Sequence, residues 1–190
     1  MEIKFEDIIL RDMAEADIEN YVRWFTVETL WSKMDAPWEP VDSDEETERR
    51  GWREYYNSVN AMPDEIRRWK FEIEWKGRHI GWVCSYAIDE NYEWIAANAM
   101  EPGQAVFLAI GIDICEPDAW GKSVGTKALQ AFVNYCFENG LTELYTQTWS
   151  GNLAMIRCAE KLGFAECKRC VGVRKVERKV YDALTFRLEK

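Results

Sequence analysis

The run Val106-Phe107-Leu108-Ala109-Ile110-Gly111-Ile112-Asp113-Ile114 constrains this chain more than any other stretch. Almost every position is apolar, so it reads as a central strand covered on both faces. The turn from Glu116 to Thr126 follows and opens a helix. That helix carries Val124, Ala128, Leu129, Phe132, Val133, Cys136 and Phe137 on one stripe. Asn139-Gly140 ends it, Gly140 suiting the left-handed residue after a helix. A short strand from Leu144 to Trp149 comes next, then Ser150-Gly151-Asn152 and a second helix ending at Gly163. From Gln104 to Phe164 the order is therefore strand, turn, helix, strand, helix.

A small-residue turn feeding a helix N-terminus offers backbone N–H groups and the positive end of the helix dipole, a place for anions and phosphates above all. Two nucleotide motifs fail on spacing. Gly121-Lys122-Ser123 imitates the end of a P-loop, but Glu116 stands where that motif needs its first glycine. The dinucleotide fingerprint lacks a glycine, since only Gly121 and Gly125 are present.

The stretch resembles the GNAT superfamily of acyl-CoA-dependent N-acetyltransferases. The family turn Arg/Gln-x-x-Gly-x-Gly/Ala falls on Trp120-Gly121-Lys122-Ser123-Val124-Gly125. A later signature, Asn-x-x-Ala-x-x-x-Tyr-x-Lys-x-Gly-Phe, falls on Asn152 through Phe164 and is matched at Asn152, Lys161, Gly163 and Phe164. Tyr181-Asp182-Ala183-Leu184 looks like the closing strand of the branch that includes ribosomal-protein N-terminal acetyltransferases. Three positions depart from the pattern. Trp120 replaces the Arg/Gln, Ala159 replaces a tyrosine that serves many relatives as an acid, and Ser123 replaces the first motif glycine. The serine can supply the same N–H if its backbone stays at negative φ.

The resemblance implies acetyl-CoA as acyl donor. The backbone of Ile112 and Ile114 would lie beside the pantetheine arm, and the turn from Trp120 through Gly121, Lys122, Ser123, Val124 and Gly125 to Thr126 would take the pyrophosphate. Asn152 would hydrogen-bond the pantetheine, or else cap its helix, a role Ser150 could share. Arg157 and Lys161, four apart on one helical face, would balance phosphate charge. Dimers are common in the family, which leaves room for a homodimer here.

Acylation of an amine also needs a proton acceptor. Asp113 interrupts an apolar strand beside the expected thioester, and Glu116 follows at its mouth, so these two carboxylates are the candidate bases, with water as a third. Tyr145, Cys158 and Tyr181 are candidate acids. Between Trp24 and Trp52, Trp31, Asp35, Trp38 and Glu39 offer rings and carboxylates for a cationic acceptor, or form one hydrophobic cluster.

Charge narrows the partners. The chain has 34 acidic and 24 basic residues, a formal net charge of -10, which repels nucleic acid and anionic membranes and suits an amine substrate. No run approaches membrane-spanning length, and the start Met1-Glu2-Ile3-Lys4 does not read as a signal peptide. Six cysteines scattered through apolar segments suggest reduced thiols in a cytoplasmic protein. Cys167-Lys168-Arg169-Cys170 has no second pair or histidine to complete a zinc site, so no metal is expected. His79, the only histidine, follows a hairpin turn and reads as a surface residue. No Gly-x-Ser-x-Gly elbow is present, and a serine or cysteine hydrolase is set aside.

Elsewhere the sequence predicts a strand over Ile3 to Leu10 and helices over Ala14 to Phe25 and from Ser43-Asp44-Glu45-Glu46 to about Asn60. Trp69, Phe71, Ile73 and Trp75 alternate with Lys70, Glu72 and Glu74, as in a half-buried strand that turns at Lys76-Gly77 into Ile80 to Ile88. Asp89 to Gly103 reads as a polar insertion, and Ala165 to Val173 with Lys179 to Leu188 as a final hairpin. The expectation is one α/β (α+β) domain over residues 1–190, with a central mixed, mostly antiparallel sheet flanked by helices. An N-acetyltransferase acting on a small cationic amine or a protein N-terminus leads. A non-catalytic acyl-CoA sensor is the alternative, and an interaction module using exposed tryptophans is the third.

Overall fold

The computed structural model describes residues 1–96 and 106–190. The expected insertion from Asp89 to Gly103 and the beginning of the central segment at Gln104 lie partly outside the described residues. Nine strands form a mixed, mostly antiparallel sheet: β1 (Glu2–Phe5), β2 (Ile8–Arg11), β3 (Lys70–Trp75), β4 (Arg78–Ile88), β5 (Trp94–Ile95), β6 (Phe107–Ile114), β7 (Glu143–Trp149), β8 (Ala165–Val176) and β9 (Lys179–Glu189). Their hydrogen-bonded order is β1-β2-β3-β4-β6-β7-β9-β8, with β5 on β4. Five helices accompany them: α1 (Asp17–Thr26), α2 (Ser32–Asp35), α3 (Glu45–Asn60), α4 (Val124–Glu138) and α5 (Leu153–Lys161). The α/β expectation holds. No described helix is long and apolar enough to cross a membrane.

Two compact units divide the chain. The first comprises Met1–Val83 and Ile112–Ala131, and the second Cys84–Gly111 and Phe132–Lys190.

In the first unit the predicted opening strand is a hairpin instead. Phe5 pairs with Ile8 across Glu6-Asp7, and Glu6 takes φ 52°. Apolar periodicity could not show this turn, because its two central residues are ordinary acids rather than Asn-Gly. Helix α3 begins as expected, with Asp44 rather than Ser43 as its cap: the Asp44 carboxylate accepts the Thr47 N–H at 3.0 Å. The β3–β4 turn uses Lys76 at φ 53° and Gly77 at φ 72°, the two left-handed residues of a tight hairpin.

Strand β3 is buried on both faces, not half-buried. Phe71 and Ile73 join the apolar core, and Lys70 and Glu72 on the other face are 6% and 1% exposed. Strand β4 carries the main irregularity. His79 and Trp82 both meet the Tyr21 ring, at 5.5 and 5.2 Å, although residues three apart on a regular strand face opposite sides. Gly81, at φ 151°, lies between them and absorbs the extra rotation. A Cβ at Gly81 would stand 1.9 Å from the Asp113 carbonyl oxygen.

In the second unit β6 pairs with β7 in parallel at Ala109 and Tyr145, and the Thr146 hydroxyl donates to the Ile110 carbonyl at 2.8 Å. Strand β7 continues antiparallel onto β9 from Glu143–Glu189 to Trp149–Ala183. The final hairpin is longer than the sequence suggested because Gly172, at φ 70°, forms a bulge that keeps β8 paired to Val176. Asp182 accepts the Gly172 N–H at 3.0 Å and fixes that bulge.

Candidate active site

The end of β6 and the turn behind it build the site in the first unit. A Cβ on Gly125 would sit 3.7 Å from Ile112 Cδ1 and 3.9 Å from Ile114 Cγ1, so both isoleucine side chains face the first turn of α4. Strand alternation then sends the Asp113 side chain to the opposite face. The Trp120 indole N–H donates to the Ile114 carbonyl at 2.8 Å, and the Cys115 N–H donates to Ile80 at 2.8 Å. Trp120, in place of the expected Arg/Gln, thus ties the turn to the strand end.

Between strand and helix, Gly121 has φ 70° and Ser123 φ 61°. The expected negative φ at Ser123 is corrected: serine adopts the left-handed conformation that glycine would take. Left-handed residues alternating with ordinary ones point successive N–H groups into a shared concavity, the arrangement that cradles anions. Gly121, Lys122 and Ser123 are exposed, and the first hydrogen bond of α4 runs from the Lys127 N–H to the Ser123 carbonyl at 3.1 Å. Lys122 lies over the Trp75 ring at 5.5 Å, and Lys127 is held by Asp7 at 2.6 Å and Glu6 at 2.9 Å. A serine at positive φ costs roughly 1 kcal/mol. Ser123→Gly is therefore expected to stabilise the fold by about 0.5 kcal/mol after the added freedom of the unfolded chain is counted. Thermal melting checks the gain, and unchanged CoA affinity shows that the backbone, not the hydroxyl, is what the turn supplies.

The two candidate bases have different surroundings. Glu116 accepts hydrogen bonds from the Arg23 guanidinium at 2.5 Å and the Trp24 indole at 3.1 Å, which makes it a brace between the turn and α1. Asp113 is crowded instead. Burial and then the nearby Asp35 carboxylate push its carboxyl well above the usual range, with Lys70 pulling the other way. Asp35 keeps accessible surface, yet crowding by the surrounding protein and the charge of Glu39 raise its carboxyl too.

The aromatic residues divide. Trp31 is buried, donates its indole N–H to the Trp24 carbonyl at 3.0 Å, and packs on Phe25 and Trp82 at 5.1 and 5.3 Å. It belongs to the core of its unit and offers little surface to a ligand. Trp38 is half-buried beside Glu39, whose carboxylate accepts its indole N–H at 3.3 Å.

His79 was expected at the surface and is instead buried, 7% exposed. Its Nε2 lies 2.9 Å from Glu72 and 3.1 Å from the Gly81 carbonyl, and its Nδ1 lies 3.2 Å from Asp17. Tyr21 donates to Glu72 at 2.5 Å, and Arg11 clamps Asp17 at 2.6 and 2.9 Å. Burial pushes the Asp17 carboxyl up, but Arg11, His79 and the Ala14 N–H outweigh it and hold the group low. Among the described residues no buried side-chain polar atom lacks a partner, as a charged interior requires. Sequence reasoning missed this cluster. Its one trace was the polar alternation of Lys70, Glu72 and Glu74, which reads equally well as a solvated face.

The remaining candidates lie in the second unit. Asn152 caps α5, its carbonyl oxygen accepting the Met155 N–H at 3.0 Å. Arg157 and Lys161 are exposed on that helix. The Tyr145 hydroxyl donates to Glu143 at 3.2 Å, and burial pushes its pKa up to about 12. Cys158 is buried in α5, and Tyr181 meets Trp149 edge to face at 4.8 Å. The six cysteines lie outside any disulfide, and no cluster of three or more metal-ligating side chains occurs among the described residues.

A concave run of N–H groups thus lies behind a central strand, with a crowded carboxylate on that strand. The family profile described as "Acetyltransferase (GNAT) domain" matches residues 7–165, so the chain belongs to the GNAT family and is an acetyl-CoA-dependent N-acetyltransferase. No curated protein sequence matches the chain significantly.

Solved structures agree on the fold. The ribosomal L7/L12 α-N-protein acetyltransferase RimL in complex with coenzyme A superposes with TM-score 0.73 at 13% identity, covering 100% of this chain and 98% of that one. The ribosomal-protein-S5-alanine acetyltransferase from Vibrio fischeri gives 0.71 at 16% identity, covering 100% and 96%. A GNAT-family acetyltransferase from Bacillus anthracis gives 0.67 at 18% identity, covering 100% and 98%.

Proposed function

We propose that the chain transfers the acetyl group of acetyl-CoA to a primary amine of a small cationic molecule, by direct attack of the amine on the thioester. The pairing of Asp113 with Asp35 carries this reading. Asp35 adds its charge to the burial that raises the Asp113 carboxyl, and Glu39 does the same for Asp35, so the three carboxylates make a locus that a positive ligand relieves. Glu39 adds to it, and Trp38 stands beside Glu39 as an aromatic surface.

In the reaction, the docked ammonium gives a proton to Asp113, directly or through one water. The free amine attacks the thioester carbonyl, the carbon–nitrogen bond forms and the carbon–sulfur bond breaks. The second amine proton neutralises the departing thiolate through solvent. Glu116, held by Arg23 and Trp24, keeps the turn in place and takes no proton. The N–H groups from Gly121 to Thr126 receive the pyrophosphate, and the strand edge at Ile112 and Ile114 runs beside the pantetheine.

Calorimetric titration of acetyl-CoA and CoA into wild type and Gly125→Trp tests the donor site. Contacts around Gly125 are ordinary for a Cβ, and melting of the variant checks that the larger indole leaves the core in place. Saturable wild-type binding and at least a hundredfold weaker binding in the variant, with unchanged melting, is the expected outcome. Thiol release is then followed with polyamines, aminoglycosides and N-terminal peptides. Turnover with peptides alone sinks the small-amine reading, and binding without any thiol release points to a sensor.

A further inference from the structure

The face of the sheet that carries Asp113 also holds a buried lysine in a box of rings. Lys70, on β3, places its ammonium 4.3 Å from the ring centres of Tyr21 and Trp52, 4.9 Å from Tyr55 and 5.1 Å from Trp82. Helices α1 and α3 and strand β4 each contribute to the box. Glu72 lies 3.7 Å from that ammonium and also serves Tyr21 and His79. A cation fixed in this way cannot follow its counter-charge, so its field acts on whatever lies nearby.

The cage also changes the meaning of the aromatic cluster. Four of its rings are occupied by a cation that the chain supplies itself, which leaves acceptor binding to the carboxylates.

We propose that Lys70 is a positioning residue for the transfer reaction, a fixed positive charge that keeps the Asp113 carboxylate available as proton acceptor beside Asp35. This rests on Asp113 being that acceptor. Asp113 has Asp35 from α2, Lys70 from β3 and the Cys115 thiol two residues on around it, Glu39 acts on Asp35, and Lys70 in turn has Glu72 from β3, Tyr21 from α1 and Tyr55 from α3, with His79 from β4 behind Glu72. Of the groups that act on Asp113, Asp35 opposes its ionisation and Lys70 alone favours it. With Asp35 kept and Lys70 neutral, the carboxylate would hold its proton to higher pH and lose its function as base there.

The test is the pH dependence of kcat/KM for wild type, Lys70→Met, Lys70→Gln, Lys70→Arg and Asp113→Asn, with melting and CoA titration on each. Met fills the box with a flexible apolar chain of similar length, and Gln does so with a neutral polar one. The acidic limb is expected to move up by about one pH unit in both neutral variants. Lys70→Arg should restore it toward the wild-type position, a return that a purely structural role would not give. Asp113→Asn should abolish the limb. If Asp113→Asn abolishes it while the neutral Lys70 variants leave it in place, the role of Lys70 is overturned and the base assignment stands. If the limb survives in Asp113→Asn, the base assignment falls and the role of Lys70 falls with it.

Discussion

Asp113→Asn is expected to lower kcat by about 10²–10⁴-fold, the range for loss of a positioned proton acceptor. The same change is expected to raise the melting temperature at neutral pH. The sign follows from linkage. A carboxyl whose folded pKa lies above its unfolded value makes its contribution to stability at acid pH. That contribution is lost as pH rises through the unfolded value and on to the folded one, because ionising the crowded group then costs free energy in the folded state only. Asparagine has the same shape and never ionises. Stability gained where activity is lost marks a group kept for chemistry rather than for packing. A melting temperature that falls together with activity would make Asp113 a structural residue.

The second large effect is at Gly81. Gly81→Ala is expected to destabilise the protein by about 3 kcal/mol or more, from an unfavourable φ and an overlap that only backbone movement can relieve. For a chain of this length that lowers the melting temperature by roughly 10 °C. The overlap falls on the Asp113 carbonyl, so catalysis should suffer below the new transition as well, through misplacement of the strand that bears the base. Thermal melting and kcat at 15 °C read the two consequences separately. A variant that melts like wild type would show that β4 can shift without cost, contrary to its burial between Ile80 and Val83.

Particular residues show how far local pattern reached. The strand at Phe107–Ile114, the helix from Val124, the cap ahead of α3 and the turn at Lys76-Gly77 depend on interactions within a few residues, and each was legible. So was the turn ahead of α4, since the Gly121-to-Gly125 spacing is a property of one short segment. The local pattern misjudged Ser123, where a serine occupies a glycine conformation, and the Glu6-Asp7 turn, where two acids do the work of better turn formers. Neither residue type announces a positive φ.

What only tertiary structure decided concerns charge. The sequence determined a mixed-sheet fold with a small-residue turn ahead of α4, because hydrophobic period and glycine spacing are properties of neighbours along the chain. It could not tell a solvated polar face on β3 from a buried one, since alternation is identical in both cases. Helices α1 and α3 cover that face with rings, and only then do Lys70, Glu72 and His79 become interior polar groups that must find partners. Burial also separates Asp113 from Glu116, the first and second candidate bases of the sequence. One meets Arg23 from α1 and is neutralised, while the other meets a second carboxylate and a caged lysine. The energy of a charge depends on everything within several ångströms in space, and sequence distance carries no information about that.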